Sequence, residues 1–410
     1  MICRNCKSKL SFKFCDMGFS PYANSYLSKN NLNEVENYYP LRVFVCKKCF
    51  LVQTQDFANP REIFSSDYAY YSSTSKMFLD HAEKYAKKII KFLKLDKSKN
   101  VIEIASNDGY LLKNFVKKKI PCFGIEPALN AAKISEKLGI KVIKKFFSSK
   151  LAISLSKKKA DLICANNVYA HVPDINDFTK GLKNLLKKEG TITLEFAHLL
   201  KLVKGFKFDT IYHEHYSYLS LSVVKKIFEK NNLRVYHAEE IETHGGSLRI
   251  YGCHVKSFIK ENRSIKKLIN KEIKYKLNKI KTYEQFNKKI KKIKFDFLKF
   301  LIEQKKSNKK ICGYGAAAKA SNLINYCGIK NDIIETIYDA AKSKQNKFLP
   351  GSHIPILHPK NIRKDKPDLI IIFPVNLSAE IIKDLNYVKV WKCKLIVVIP
   401  KIKFLKWEYL

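Results

Sequence analysis

The stretch Val101-Ile-Glu103-Ile-Ala-Ser-Asn-Asp-Gly109 indicates the fold of this 410-residue chain. A short apolar run over 100–104 has strand length, small and polar residues follow it, and 110–118 has helical character. The same alternation continues with strands expected at 122–125, 140–143, 162–165 and 190–196 and helices at 129–138 and 175–186. Alternating strands and helices predict an α/β, Rossmann-like half with a doubly wound sheet.

The turn after this first strand predicts the kind of ligand. In doubly wound folds the ligand lies at the carboxyl ends of the strands. The turn lacks the Gly-x-Gly-x-x-Gly pattern that suits a pyrophosphate, so NAD is disfavoured, and Glu126 ends the next strand, where a carboxylate can accept both ribose hydroxyls. We therefore expect an S-adenosylmethionine site, with a generic nucleotide fold as the alternative. Its candidate residues are Glu103, Ala105, Ser106, Asn107, Asp108, Gly109, Glu126, Asn166 and Asn167.

Two Cys-x-x-Cys pairs near the N-terminus predict a metal site. Cys3 with Cys6 and Cys46 with Cys49 each resemble a rubredoxin-type knuckle, and four thiolates complete a tetrahedral site. Paired cysteines in a chain without secretory features favour zinc over disulfides. The zinc should be structural, and the insertion 12–38 between the pairs must loop out.

The run Tyr212-His213-Glu214-His215 offers acid/base chemistry. Histidine titrates near neutral pH, and a neighbouring carboxylate can fix its tautomer or raise its basicity. In an extended stretch alternate residues would share a face, whereas in a turn all of them could converge. A surface or zinc-binding histidine pair is the alternative reading. His171, in the loop after the fourth strand, is expected near the methyl donor.

Three further segments carry candidate residues. An aromatic cluster with Tyr68 and Tyr70 is either a lid or a packed hinge, and a glycine-rich segment with His244 and Arg249 is either a phosphate or sugar contact or a plain hairpin. A Lys-rich helical segment spans 260–300. Beyond it, Gly313-Tyr-Gly315-Ala-Ala-Ala-Lys319 and strands expected at 333–338, 369–373 and 395–399 predict a second Rossmann-like unit.

The formal net charge of +41 suggests nucleic-acid binding, but the residue types argue against it. Only seven of the 78 basic residues are arginine, the residue that nucleic-acid surfaces favour, and the lysines are spread along the whole chain. A basic surface would still attract an anionic substrate such as a nucleotide diphosphate. With neither a signal peptide nor a membrane-length apolar run, we expect a soluble cytoplasmic protein.

Taken together and in this order, the motifs resemble the nucleotide-sugar C-methyltransferases, especially the sugar 3-C-methyltransferases of deoxysugar pathways. The resemblance covers nearly the whole chain: the four cysteines, the donor turn, Asn-Asn-Val-Tyr-Ala-His-Val-Pro-Asp, Tyr-His-Glu-His, Thr-His-Gly-Gly-Ser-Leu-Arg and Gly-Tyr-Gly-Ala-Ala-Ala-Lys. It implies a zinc module at 1–60, a methyltransferase domain with a tyrosine lid at 61–255, and a Rossmann-like domain at 256–410 that helps hold the nucleotide sugar.

The resemblance also implies roles. S-adenosylmethionine would methylate a carbon, with carbon 3 expected, next to the keto group of a TDP-, GDP- or CDP-linked 4-keto-deoxysugar. His215 would be the general base and Glu214 its partner. The remaining catalytic candidates are Tyr212, His171 and Tyr70, and the substrate-binding candidates are Tyr68, His244, Arg249 and Lys319. Ala105 stands where a second glycine is common. The oligomeric state is left open.

Three alternatives are kept. An O- or N-methyltransferase of another small metabolite would need no base for a carbon acid. A zinc-containing nucleic-acid-binding protein would bind RNA or DNA with strong salt dependence. A pathway scaffold would bind the donor without reacting, although the Tyr212, Glu214 and His215 set argues against that.

Overall fold

The computed structural model describes residues 1–57, 71–242 and 245–407. The candidates Tyr68, Tyr70 and His244 lie outside the described residues. The chain divides into two compact units, the first comprising Met1–Phe12, Val45–Leu199 and His215–Asn278, and the second comprising Lys13–Phe44, Leu200–Glu214 and Lys279–Leu410. Within the described ranges, each helix is too short or too polar to cross a lipid bilayer.

A seven-stranded sheet organises the first unit. In spatial order its strands are Leu233–Ile241, Ser247–His254, Leu186–Ala197, Ala160–Asn166, Val101–Ile104, Cys122–Ile125 and Lys141–Ile143. The last five are parallel to one another, and the first two are antiparallel to their neighbours. The chain leaves Val101–Ile104 first and adds strands on both sides of it. The carboxyl end of this central strand is therefore the expected ligand crevice.

Helices cover this sheet because each has one apolar face. The helix Lys76–Leu93 buries Ala82, Tyr85, Ala86 and Ile89, and the Ser75 hydroxyl accepts a hydrogen bond from the Phe78 amide at its start. The helix predicted at 110–118 is only one turn long. The other helices of this unit are Lys113–Val116, Leu129–Lys137, Ser149–Ser154, Ile175–Leu185, Leu221–Lys230 and Ser264–Lys274.

A six-stranded sheet organises the second unit. In spatial order its strands are Ile356–Leu357, Thr336–Tyr338, Ile311–Tyr314, Leu369–Ile372, Lys394–Val397 and Lys403–Phe404. The first five are parallel, and the last runs antiparallel. Again the first strand in the chain is central. The described helices that lie wholly in this unit are Ile280–Lys306, Ala318–Cys327, Ile362–Asp365 and Ser378–Asp384, and Leu199–Lys204 begins at the boundary.

Smaller strands complete the two units. In the first, Val52–Thr54 pairs antiparallel with Ser217–Tyr218. In the second, which holds all but the end residues Phe12 and Val45 of each strand, Phe12–Ser20 and Tyr39–Val45 are neighbours in a sheet. The Lys-rich segment predicted as helical is divided into Ser264–Lys274 and Ile280–Lys306, with Lys276 in the left-handed conformation between them (φ 58°). The predicted α/β class, with a second Rossmann-like sheet, is confirmed.

Candidate active site

The turn after Val101–Ile104 has a backbone that few residues can adopt. Ala105, Asn107 and Gly109 all have positive φ, at 57°, 48° and 80°. A Cβ atom on Gly109 would lie 2.7 Å from both the Ile140 Cδ1 and the Ser135 Oγ atoms, and other residues rarely adopt a φ of 80°, so both the space and the backbone favour glycine. This tight turn brings the polar residues 106–108 to the carboxyl end of the central strand.

Glu103 is a buried carboxylate without a hydrogen-bond partner among the described residues. Its side chain is fully buried, and neither carboxylate oxygen is bonded within that part of the chain. Burial raises the pKa of Glu103 well above its usual range, and the charges of Glu126 and Asp108 raise it further. A group that brings positive charge would relieve this cost.

Glu126 ends the strand Cys122–Ile125 and is fixed by backbone amides. Its two oxygens accept hydrogen bonds from the Ala128 amide at 2.8 Å and the Asn107 amide at 2.9 Å. Burial raises the pKa of Glu126, and these two bonds offset part of that rise. The carboxylate is therefore held in one orientation at the edge where a ribose would lie.

The start of the helix Lys76–Leu93 is tied to the same turn. The amide of Ser72 donates to the Asn107 side-chain oxygen at 3.0 Å, and the amide of Ser73 donates to one Asp108 oxygen at 3.0 Å. The other Asp108 oxygen and the Asn166 side-chain oxygen are buried without a partner among residues 1–57, 71–242 and 245–407. Asn167 has φ 55°, and its amide donates to the Glu195 carbonyl at 2.7 Å.

These groups fit S-adenosylmethionine. Three carboxylates act on one another across the crevice. Buried oxygens that nothing in the described chain satisfies belong to four side chains here, Glu103, Ser106, Asp108 and Asn166. Such a crevice favours a ligand with hydroxyl donors and positive charge, which the ribose, ammonium and sulfonium groups supply. It would repel a pyrophosphate, as the missing glycine pattern also indicates.

The four predicted cysteines lie together in the first unit. Their sulfur atoms all lie within 4.8 Å of one another, with Cys3 and Cys49 at 3.6 Å and Cys6 and Cys46 at 3.5 Å. Tetrahedral zinc with bonds of about 2.3 Å requires sulfur atoms about 3.8 Å apart, so the site fits the metal. The two knuckles are alike. The amide of Lys7 donates to the Cys3 carbonyl and that of Phe50 to the Cys46 carbonyl, at 3.0 and 2.8 Å.

Arg4, inside the first knuckle, connects the metal site to two other chain segments. Its guanidinium donates to the carbonyls of Tyr216 at 3.2 Å, Pro173 at 3.0 Å and Thr54 at 3.1 Å. It also pairs with the Asp56 carboxylate. Arg4 is buried, and these bonds use its planar fork of donors fully. The segments that it joins are those that follow His171 and His215.

His171 and His215 form a pair in the first unit. Their ring centroids are 4.7 Å apart with the rings inclined by 70°, and His215 also contacts the ring of Tyr218. The hydroxyl of Thr54 donates to the His215 carbonyl at 3.0 Å. Both residues are partly buried, and the backbone at or beside each of them is held by the bonds of Arg4 and Thr54.

The segment before His215 belongs to the second unit and forms a turn at residues 213 and 214. His213 is buried beside Tyr22 and Tyr39 and bonds the Tyr39 carbonyl at 3.2 Å, and burial lowers its pKa to about 4. His213 is thus a neutral packing residue. Glu214 is buried, and burial raises its pKa to about 7 despite a hydrogen bond from Asn24 at 2.7 Å. Tyr212 is half-buried.

Arg249 has its partners inside the first unit. Its guanidinium donates to Glu195 at 2.6 Å and to Glu239 at 3.3 Å and lies over the ring of Tyr85. Burial opposes ionisation of Glu195, but hydrogen bonding to His81 and the charge of Arg249 outweigh it and lower the pKa of Glu195 to about 2. The predicted substrate contact of Arg249 stays a prediction; the structure gives this side chain an internal ion pair.

Lys319 lies in the first turn of the helix Ala318–Cys327, in the second unit. The side-chain amide of Asn322 donates to the carbonyls of Phe208 at 3.1 Å and Asp209 at 3.2 Å, which ties this helix to the segment 207–209. Burial lowers the pKa of Lys207, the charges of Lys319 and Lys201 lower it further, and Asp209 opposes this shift. Lys319, Lys207 and Lys201 therefore form a cationic cluster that also includes the buried carboxyl group of Asp209.

Sequence reasoning missed Arg4, Asn24, Ser72 and Ser73. The two serines act through backbone amides, which no side-chain pattern reveals. Arg4 had a usable signal, since the chain uses lysine almost everywhere and keeps arginine at only seven positions. An arginine retained in such a background indicates a need for several fixed hydrogen bonds.

Comparison with known proteins agrees with this geometry. Residues 3–64 match the family model of a zinc binding domain, 77–238 that of a methyltransferase domain, and 242–400 that of a C-methyltransferase C-terminal domain. The C-methyltransferase NovU of Streptomyces niveus is 28% identical over 382 residues, which cover 93% of this chain and 91% of that protein.

Solved structures of methyltransferases are also similar over less than half of the chain. An S-adenosylmethionine-dependent methyltransferase of Clostridium acetobutylicum is 14% identical with a TM-score of 0.36, covering 43% of this chain and 92% of its own. Magnesium protoporphyrin IX methyltransferase of Synechocystis is 13% identical with a TM-score of 0.33, covering 47% and 88%. Scores this low carry no weight in the assignment.

The crevice, the four-cysteine site and the three matched domains define an S-adenosylmethionine-dependent methyltransferase that binds zinc. The chain is a C-methyltransferase related to NovU, and its zinc-binding and C-methyltransferase C-terminal regions both match family models. The family predicted from the motifs, and the two cofactors predicted with it, are confirmed.

Proposed function

We propose that this C-methyltransferase methylates carbon 3 of a nucleotide-linked 4-keto-deoxysugar. The observation that carries the proposal is the held pair His171–His215, with ring centroids 4.7 Å apart. Transfer to a hydroxyl or amine requires no base for a carbon acid, whereas transfer to carbon does. Two accessible imidazoles fixed by neighbouring backbone contacts supply such a base and a second polar group beside it.

His215 removes the proton from carbon 3, which the adjacent ketone makes acidic. Glu214 precedes it in the chain and is its partner in the acid/base step. Tyr212 or His171 donates a hydrogen bond to the developing enolate oxygen. S-adenosylmethionine, when bound, supplies the methyl group that the enolate carbon takes. Tyr70 is proposed as the lid residue that keeps water from the enolate, with Tyr68 as the alternative.

The donor site uses the acceptors at the carboxyl end of the central strand. Glu126 takes the ribose hydroxyls, and Glu103 and Asp108 face the positively charged amino-acid end. Asn166 and Asn167 lie toward the sulfonium. These roles are supported by the fixed carboxylate of Glu126 and by the unsatisfied oxygens of Glu103, Asp108 and Asn166.

The C-terminal part of the chain holds the nucleotide. Lys319 with Lys207 and Lys201 forms a cationic cluster suited to a diphosphate, and a helix start favours anions as well. His244 and Arg249 remain proposed substrate contacts. The functional division into 1–60, 61–255 and 256–410 is supported by family models that match 3–64, 77–238 and 242–400. The proposed nucleotide is TDP, GDP or CDP.

The test is incubation of the zinc-loaded protein with methyl-labelled S-adenosylmethionine and a panel of nucleotide 4-keto-6-deoxysugars in deuterated water, read by mass spectrometry. We expect one labelled methyl group on a sugar carbon. His215→Asn should reduce turnover about 100- to 10,000-fold while keeping donor affinity. His254→Asn is the matched control, since His254 bonds the Leu186 carbonyl in another strand.

Two outcomes contradict the proposal. Methyl transfer to oxygen or nitrogen, without deuterium exchange beside the ketone, would assign the chain to another methyl acceptor. Unchanged turnover in His215→Asn would remove His215 from the base role. Deuterium exchange without methyl transfer would support the base and exclude the sugars tested as methyl acceptors.

A further inference from the structure

The insertion between the two cysteine pairs contacts the acid/base segment within the second unit. Asn24 lies in this insertion, and its side-chain amide donates to the Glu214 carboxylate at 2.7 Å. Glu214 is only 4% exposed, so its hydrogen-bond partners decide which way the carboxylate points. The predicted surface loop is thus connected to a proposed catalytic residue.

Asn24 is itself held in place. The hydroxyl of Tyr26 bonds the Ala316 carbonyl at 2.6 Å and lies 3.4 Å from the Asn24 side-chain oxygen. Leu27 and Phe348 exchange backbone hydrogen bonds at 3.0 and 2.8 Å. The insertion is therefore anchored at two places, at Ala316 in the turn that follows Ile311–Tyr314 and at Phe348, and the Asn24 amide reaches Glu214 from a fixed point.

The groups around Glu214 leave Asn24 as the stabiliser of its charge among the described residues of this unit. Burial raises the pKa of Glu214 to about 7, and the hydrogen bond from Asn24 lowers it. The facing phenol of Tyr26 is neutral, because burial and the charges of Asp339 and Glu214 raise its pKa. His213, the preceding residue, is neutral too, since burial lowers its pKa to about 4.

We propose that Asn24 is a positioning residue that orients the Glu214 carboxylate and keeps it available to the acid/base step. The catalytic part of this inference rests on the proposed function of Glu214; the effect of Asn24 on the carboxylate does not. The insertion between the two cysteine pairs then contributes to the reaction by orienting a carboxylate.

The test uses the zinc-loaded, full-length protein labelled with [δ-13C]glutamate. A carbon-13 NMR titration should contain a carboxyl resonance that titrates near pH 7, assigned by its loss in Glu214→Gln. In Asn24→Leu this titration should move to higher pH by about one unit or more, since a bond to a charged group is lost. Asn24→Asp keeps the shape, places a second acid beside Glu214 and should move the titration in the same direction.

The matched control is Asn31→Ala in the same insertion, where Asn31 bonds Ser28 and Glu34 and should leave the Glu214 titration unchanged. On a sugar that the wild type methylates, the acidic limb of turnover should move with the titration. An unmoved Glu214 titration in both Asn24 variants overturns the inference. A moved titration with no methylation of any sugar supports the positioning and counts against the proposed function instead.

Discussion

The two large sheets each have five parallel strands and the same construction, but their crevices differ. In each, the second strand ends in a carboxylate that accepts a bond at 2.8 Å from the amide two residues later: Glu126 from Ala128, and Asp339 from Ala341. In the first crevice other buried oxygens have no partner within the described chain. In the second, Lys344 pairs with Asp339.

The second crevice is also occupied by the chain itself. Tyr26 donates to the carbonyl of Ala316, in the turn where the phosphates of a dinucleotide would lie in such a fold. Topology identifies where a ligand can bind. Whether the crevice binds one depends on how many of its polar atoms lack hydrogen-bond partners within the protein. Satisfied ion pairs should act on stability, and unsatisfied carboxylates on ligand affinity.

The largest effect is expected from removing zinc from the four-cysteine site of the first unit. Structural zinc contributes on the order of 10 kcal/mol to small modules. Chelation should abolish activity and raise hydrogen exchange at Val52–Thr54 and Ser217–Tyr218 in the first unit, while the six-stranded sheet keeps its protection. Hydrogen-exchange mass spectrometry measures both. Equal loss of protection in the two sheets, or none in either, would contradict the expectation.

The satisfied pair Arg249–Glu195 should matter chiefly for stability. Its side chains are 5% and 1% exposed, so Arg249→Met removes the guanidinium partner of a buried carboxylate that then keeps only its contact with His81 among the bonds described above. This change should cost about 3–5 kcal/mol of unfolding free energy. Denaturant unfolding measures this, with Arg263→Met, at an exposed arginine, as the control. A stable Arg249→Met protein with a raised KM for the sugar would instead support the substrate contact.

Replacing Glu126 and Asp339 with alanine, one at a time, tests directly whether the two crevices differ in ligand binding. Glu126→Ala removes the proposed acceptor of the ribose hydroxyls and should weaken S-adenosylmethionine binding roughly 100-fold, since bonds to charged groups contribute about 1.5–3 kcal/mol each. Asp339→Ala should leave this affinity unchanged. Isothermal titration calorimetry measures both. If the two variants lose affinity for S-adenosylmethionine equally, the proposed difference in ligand binding between the two crevices is wrong.

The pH behaviour of the first crevice follows from Glu103. Its pKa is raised by burial and by its acidic neighbours, so the carboxyl holds a proton above its usual pH range. A cationic ligand favours the ionised form, so S-adenosylmethionine binding near pH 7 should release up to one proton. Calorimetry in buffers of different ionisation enthalpy counts it. Glu103→Gln should abolish the release. A net uptake of protons by the wild type would contradict the prediction.

The smallest effect is expected at Tyr26. Tyr26→Phe removes one neutral hydrogen bond in the second crevice and should cost about 0.5–1.5 kcal/mol of stability. Donor affinity should not change. Thermal unfolding with and without S-adenosylmethionine tests both statements, and a variant with lost donor affinity would show that the second crevice influences the first.

Much of the fold could be predicted because its signals are local. The strand at Cys122–Ile125 and the helices at Leu129–Lys137 and Ile175–Leu185 follow from apolar spacing and agree with the structure within a residue. The length of the helix after Gly109 could not be predicted, because the turn geometry and burial of 110–112 override helix propensity there. The four cysteines were likewise readable from their spacing.

The contacts that organise the candidate site join residues remote in sequence, and no local pattern encodes them. Asn24 and Glu214 are 190 positions apart, and nothing near either residue indicates the other. Arg249 was predicted as a substrate contact from its glycine-rich surroundings, although its ion pair depends on a residue of the adjacent strand. Glu195 lies opposite Arg249 because of the pairing register of their two strands, which cannot be read from the sequence.

The hydrogen bonds of the Arg4 guanidinium have a consequence for synthesis of the chain. Arg4 and Tyr216 are 212 positions apart, so on the ribosome the first knuckle is complete long before one of its main partners exists. At about 5–20 residues per second, this wait lasts roughly 10–40 s. During that time the thiolates of Cys3 and Cys6 are available to metal and oxidant alike. Zinc capture early in synthesis would therefore protect the nascent chain until the segment carrying His215 emerges.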